Sequence, residues 1–127
     1  MNPAPANSLI VLIIDDTPMV IAALSRILLP HYSVKVAKDG EEGLKLAERH
    51  KTDLIILDIN MPGLSGFAVL SELKEREKTR DVPVILITGS EDVEDKAQGL
   101  HLGAVEYIKK PFSEETILRK VEKHIGG

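Results

Sequence analysis

Five times along the chain a short apolar run gives way to a longer amphipathic stretch, and few architectures accommodate such an alternation. The runs are "LIVLII" at 9–14, "SVKVA" at 33–37, "DLIIL" at 53–57, "VPVILIT" at 82–88 and "AVEYIKK" at 104–110. "DLIIL" is apolar at both parities, which suits a central parallel strand covered by helices on each side. The stretches between carry helix signals. Pro18 fits a first helical position, with Val20, Leu24, Ile27 and Leu28 on one face. Asp39 with Glu42 three places on is a capping-box pattern, and Leu44 and Ala47 face inward. After the "MPGLSG" loop at 61–66, Ser65 caps a helix with Phe67, Leu70 and Leu73 inward and Glu72, Lys74 and Glu75 outward. Ser90 caps the next helix, with Glu91 and Asp92 in its first turn. Pro111 ends the last run, and Ser113, Glu114 and Glu115 open a helix from Thr116 to about His124. The order predicts an α/β fold: an open, mostly parallel sheet of five βα units, wound on both faces. Residues 1–8, "MNPAPANS", read as a flexible leader, which leaves 9–127 as the single folded domain.

Composition narrows the function. A net charge of −4 opposes binding to a phosphate backbone, and 3% aromatic residues with no Trp provide no stacking platform for single strands. The absence of Cys removes disulfides, thiol catalysis and thiolate metal sites. The longest apolar run falls far short of the roughly 20 residues that span a bilayer, and no signal peptide is visible. These features fit a cytoplasmic protein that engages neither membrane nor nucleic acid directly.

In such sheets the functional crevice lies beyond the carboxyl ends of the strands. Those positions hold Asp15 and Asp16 after the first strand, Asp58 after the third, Thr88 after the fourth and Lys110 after the fifth. Singly, each has an ordinary explanation: a helix cap, an Asx-turn, a β-former, an exposed lysine beside Lys109. Together they form a chemical set. Crowded carboxylates repel unless a cation sits between them, and oxygen ligands without His or Cys suit a hard ion such as Mg²⁺. A lysine supplies a compact positive charge for phosphate, and a threonine hydroxyl can donate to a phosphoryl oxygen. Such parts stabilise a phosphoryl group in transfer, with Asp58 as the nucleophile that becomes an acyl phosphate.

Four motifs, "IIDD" at 13–16, "LDINMPG" at 57–63, "ILITG" at 85–89 and "YIKKPF" at 107–112, resemble the receiver domains of bacterial response regulators, close to the chemotaxis-type single-domain members. The resemblance spans about Leu9 to Ile125. It implies a five-stranded parallel sheet in the order 2-1-3-4-5, the flavodoxin- or CheY-like doubly wound arrangement. It makes Asp58 the phospho-acceptor, receiving its phosphoryl group from a histidine kinase or phosphotransfer protein. Mg²⁺ would be held by Asp16 directly, Asp15 partly through water, Asp58 and the backbone carbonyl of Asn60. The resemblance selects Lys110 over Lys109 as the functional lysine and expects the Lys110–Pro111 bond to be cis. Thr88 and Tyr107 would be the switch pair, read out on the face formed by the fourth helix, fifth strand and fifth helix, roughly residues 91–125. Asn60 and Ser90 border the attacking water in the family. The chain would catalyse only its own phosphorylation and dephosphorylation and signal to a downstream protein, as a monomer or a phosphorylation-promoted dimer. An isolated receiver of a larger regulator or hybrid kinase is the alternative.

Two other classes share parts of this pattern. Haloacid-dehalogenase-like phosphatases use an aspartyl nucleophile, but they place a second Asp where this chain has Asn60, and they carry a cap domain. A flavodoxin-like cofactor binder needs a phosphate-cradling loop after the first strand, where "IIDDTP" would repel the phosphate.

Overall fold

The computed structural model of the protein describes residues 9–89 and 93–126. Strands and helices alternate as predicted: β1 (Ile10–Ile14), α1 (Pro18–Leu28), β2 (Ser33–Ala37), α2 (Gly40–Arg49), β3 (Leu54–Asp58), α3 (Gly66–Glu75), β4 (Val84–Thr88), α4 (Val93–His101), β5 (Glu106–Lys109) and α5 (Glu114–His124). The strands form one parallel five-stranded sheet in the order β2-β1-β3-β4-β5. In register, Val11 stands opposite Leu54, Ile55 opposite Val84 and Leu86 opposite Tyr107.

β1, β3 and β4 are apolar at both parities because each face of the sheet supports its own core. Leu12, Ile14, Ile55, Leu57, Val84 and Leu86 pack with Leu44 and Ala47 of α2 and Val69, Leu70 and Leu73 of α3. On the other face Val11, Ile13, Leu54, Ile56, Ile85 and Ile87 meet Leu24 and Leu28 of α1 and Ile117 and Val121 of α5. Each fully buried Leu or Ile contributes roughly 1.5–3 kcal/mol relative to exposure, so three central strands buried on both sides make a stiff platform.

Local chemistry fixes where the helices begin. Pro18 occupies the first turn of α1. Asp39 Oδ1 accepts the Glu42 N–H at 2.8 Å, while Glu42 Oε1 accepts the N–H of Lys38 at 2.7 Å. Ser65 Oγ accepts from Ala68 N–H, and Ser113 Oγ from Thr116 N–H, so α5 begins at Glu114, two residues before the expected Thr116. The expected cap of α4 by Ser90, with Glu91 and Asp92, lies outside the described residues, as do the leader and Gly127.

One expectation fails. Lys74 does not point outward; its ammonium donates to the carbonyls of Arg80 at 3.1 Å and Val82 at 2.8 Å. Its stem lies over Gly103, and burial lowers its pKa. Helical spacing puts Lys74 on the flank of α3, and the loop into β4 presents carbonyls there that capture it.

Two further contacts shape the β4–β5 side. Of the residues of α4 whose side chains are described, Gly99 is the buried one, set so closely on Leu86 that a Cβ would collide with its side chain. Glu106 of β5 faces α5, with Lys120 Nζ and His124 Nε2 each at 3.0 Å and Lys123 Nζ at 3.7 Å. Its carboxyl is held down to about 2, chiefly by the His124 hydrogen bond, against desolvation, with Lys120 and Lys123 assisting. Among the described residues no helix is long and apolar enough to cross a membrane.

Candidate functional site

Strand β3 is bracketed by two aspartates with opposite fates. At its start Asp53 is part of the sheet's edge: its Oδ2 accepts the Ile10 N–H at 2.8 Å and its own N–H donates to Ile10 O at 2.8 Å. At its end Asp58, the last strand residue, is only 2% exposed and sits among other charges. Asp15 and Asp16 follow β1, Thr88 ends β4, and Lys110 stands one residue beyond β5. Parallel strands put all these ends on one edge.

The edge gathers the carboxylates. Asp15, Asp16 and Asp58 each place an oxygen within 4.8 Å of the others. Lys110 Nζ lies 3.5 Å from Asp15 Oδ2 and 3.6 Å from Asp58 Oδ1, bridging the two buried acids. Its charge does not outweigh the burial of Asp58. Burial is the largest influence on Asp58 and Asp15 the next; they raise its carboxyl to about 6, against the lowering effects of Lys110 and the Asn60 N–H. Asp16 pushes in the same direction as Asp15.

One oxygen lacks a hydrogen bond altogether. Asp15 Oδ1 accepts the Thr17 N–H at 2.8 Å, but Asp15 Oδ2 is buried with no hydrogen-bond partner, the Lys110 ammonium standing at ion-pair distance only. A buried carboxylate oxygen left without a donor, beside two more acids, is the donor set of a hard cation. The residues present therefore fit Mg²⁺: oxygen ligands, clustered negative charge and an unsatisfied lone pair on a buried acid.

The remaining predicted residues fall around this cluster. Thr88 is fully buried. Lys109 is exposed while Lys110 is mostly buried, and the Lys110–Pro111 bond is cis. Tyr107 is half-buried against the core on the α2–α3 face, two residues before Lys109 on the same strand.

Asn60, exposed in the loop after β3, makes two contacts to the site. Its N–H donates to Asp58 Oδ1 at 3.2 Å, and its side-chain Nδ2 donates to Thr88 Oγ1 at 3.1 Å. The second contact was not foreseen. Nor was Gly66, whose N–H donates to Ile59 O at 2.9 Å. A Cβ on Gly66 would overlap the carbonyl oxygen of Asp58 and reach within 2.6 Å of Ile59 Cα. The signal was in the sequence: a glycine directly after a helix cap weakens the helix and needs a packing reason.

Comparison with known proteins gives this geometry its context. The response regulator receiver domain family matches residues 11–122. The chain is 36% identical over 118 residues to protein PilH of Pseudomonas aeruginosa, covering 92% of this chain and 98% of that protein. It is 38% identical over 115 residues to a probable cyclic di-GMP phosphodiesterase of Vibrio cholerae, covering 91% of this chain but only 26% of the relative. The structure superposes on the receiver domain of sensor histidine kinase PA1611 from Pseudomonas aeruginosa, solved with a magnesium ion coordinated in its active-site cleft. That match has a TM-score of 0.82 at 31% identity, over 94% of this chain and 99% of the other. Sequence and fold agree, and the chain belongs to the response regulator receiver domain family.

Proposed function

We propose that Asp58 is the phospho-acceptor of a two-component signalling switch. One observation carries the assignment: Asp58 is a buried carboxylate bridged to Asp15 through Lys110, in a cluster that is electrostatically incomplete. In the transfer an Asp58 carboxylate oxygen forms a bond to the phosphorus of a phosphohistidine. The P–N bond breaks, and the imidazole nitrogen keeps the electron pair. In dephosphorylation a water oxygen bonds to phosphorus, the P–O bond to Asp58 breaks with its electron pair kept by the carboxylate, and inorganic phosphate leaves.

Asp15, Asp16, Asp58 and the Asn60 carbonyl would hold Mg²⁺, which neutralises charge on the phosphoryl oxygens when bound. Lys110 provides the counter-charge on the opposite side, and the Thr88 hydroxyl donates to a phosphoryl oxygen. Tyr107 turns inward as Thr88 moves, which alters the face built from α4, β5 and α5. The exposed Leu100 and Val105 give that face apolar contact area for a protein partner. In this reading residues 9–127 are the receiver unit and 1–8 a leader; the donor is a histidine kinase or phosphotransfer protein. The match to nearly all of PilH supports a receiver acting by itself. The match to about a quarter of the Vibrio cholerae relative supports the second reading, a receiver belonging to a larger regulator.

The test is labelling with a small phosphoryl donor and Mg²⁺. The chain should gain one acid-stable, base-labile phosphate, and Asp58→Asn should gain none. Lys110→Ala should still label to a reduced degree and lose the response of Tyr107. Undiminished labelling of Asp58→Asn removes Asp58 from its role, and continuous release of phosphate from many esters makes the chain a phosphatase instead.

A further inference from the structure

Asn60 touches both ends of the chemistry, Asp58 through its main chain and Thr88 through its side chain. The N–H to Asp58 Oδ1, at 3.2 Å, anchors the residue. The side-chain amide to Thr88 Oγ1, at 3.1 Å, reaches from the β3–α3 loop to the last residue of β4. Thr88 is fully buried and its carbonyl accepts the Lys110 N–H at 2.7 Å, so its main chain is held. At its side chain, the Asn60 amide donates to the hydroxyl.

We propose that the Asn60 side chain is a latch on Thr88, holding the hydroxyl in the unphosphorylated arrangement and setting how much of the resting population is already switched. This rests on the assignment of Thr88 and Tyr107 as the switch pair. A hydroxyl has one proton and two acceptor lone pairs, and an amide N–H on one lone pair fixes the orientation of the rest. The hydroxyl only accepts in this bond and keeps its proton, so the latch requires that the move of the Thr88 side chain toward a phosphoryl group on Asp58 carries Oγ1 out of reach of Asn60 Nδ2. A phosphoryl oxygen is also a stronger acceptor for the amide than a neutral hydroxyl. The Asn60–Thr88 bond therefore favours the resting state alone, and an interaction confined to one of two states shifts the balance between them. Because Asn60 is exposed, its amide finds water when released, so the latch is weak enough to be overcome.

The experiment follows the Tyr107 ring by NMR in the full chain, without and with beryllofluoride and Mg²⁺ as a phosphoryl mimic. Asn60→Ala should move the unliganded Tyr107 signal toward its beryllofluoride position, raising the switched fraction by about 2- to 10-fold, the worth of one net hydrogen bond. The same substitution made on Thr88→Val should move that signal no further, since the latched hydroxyl is gone. A residue serving only to hold the loop would shift neither unliganded spectrum toward the mimic-bound one. An unliganded Asn60→Ala spectrum that coincides with wild type overturns the latch while leaving the switch reading intact. An equal shift on both backgrounds also overturns it, because the effect would not pass through the hydroxyl. A wild-type Tyr107 signal unmoved by the mimic overturns the switch reading and the latch with it.

Discussion

Burial and the neighbouring Asp15 raise the Asp58 carboxyl to about 6, against an ordinary value of 3.8, and the sign of that shift has a thermodynamic consequence. The folded protein binds this proton more tightly than the unfolded chain. Its contribution therefore favours folding at low pH and is lost as pH rises from 3.8 to about 6, up to about 3 kcal/mol across the window. Glu106, held at about 2, works in the opposite direction: its stabilisation is present above about 4.5 and fades as pH falls toward 2. Urea unfolding in chelator should thus show stability falling between about pH 4.5 and 6 and levelling off above. Asp58→Asn should flatten that slope and be the more stable protein at pH 7 by about 2–3 kcal/mol. An unchanged slope in the variant would place the repulsion elsewhere. The residues behind this were only partly legible. That Asp15, Asp16, Asp58, Thr88 and a lysine after the fifth strand meet follows from strand ends alone. The choice of Lys110 over Lys109 needed the family resemblance, because alternation shows that two neighbours differ without saying which faces the site. Lys74 and the Asn60 amide were not legible: their partners, the Arg80 and Val82 carbonyls and the Thr88 hydroxyl, come from elsewhere in the chain, and spacing carries no record of them.

Elements were easier to read than contacts. Short runs apolar at both parities and bounded by turn residues fit strands buried on both faces, as β1, β3 and β4 are, and the caps at Asp39, Ser65 and Ser113 act where their side chains predicted. The start of α3 is where an element meets the site. Gly66 lets the helix approach the Asp58–Ile59 main chain so closely that a methyl group has no room. Gly66→Ala should push α3 away from the end of β3 and cost about 1–3 kcal/mol, the usual range for overpacking. Because the displaced backbone carries Asp58, labelling by a small phosphoryl donor should slow as well. A variant that loses stability but labels at the wild-type rate would show that the close approach serves packing alone.

Across the whole molecule the helices are unequally attached. α1, α2, α3 and α5 each bury two or more side chains or glycines against the sheet, whereas α4 rests on Leu86 through Gly99, with most of its described residues exposed. Regions with few buried contacts open at lower free energy. Hydrogen exchange should therefore be faster in the amides of α4 than in those of α1 or α2; equal protection would contradict the unequal anchoring. β4 itself has little freedom: Ile87 O accepts the Ile59 N–H at 3.1 Å, and Thr88 O accepts the Lys110 N–H at 2.7 Å. With the strand fastened on both flanks, the sheet is a fixed bearing, and motion is confined to what turns around it. If the proposed switch operates on this frame, whatever docks on the molecule would sense surface relief, a ring rotated or a light helix lifted, rather than a rearranged core.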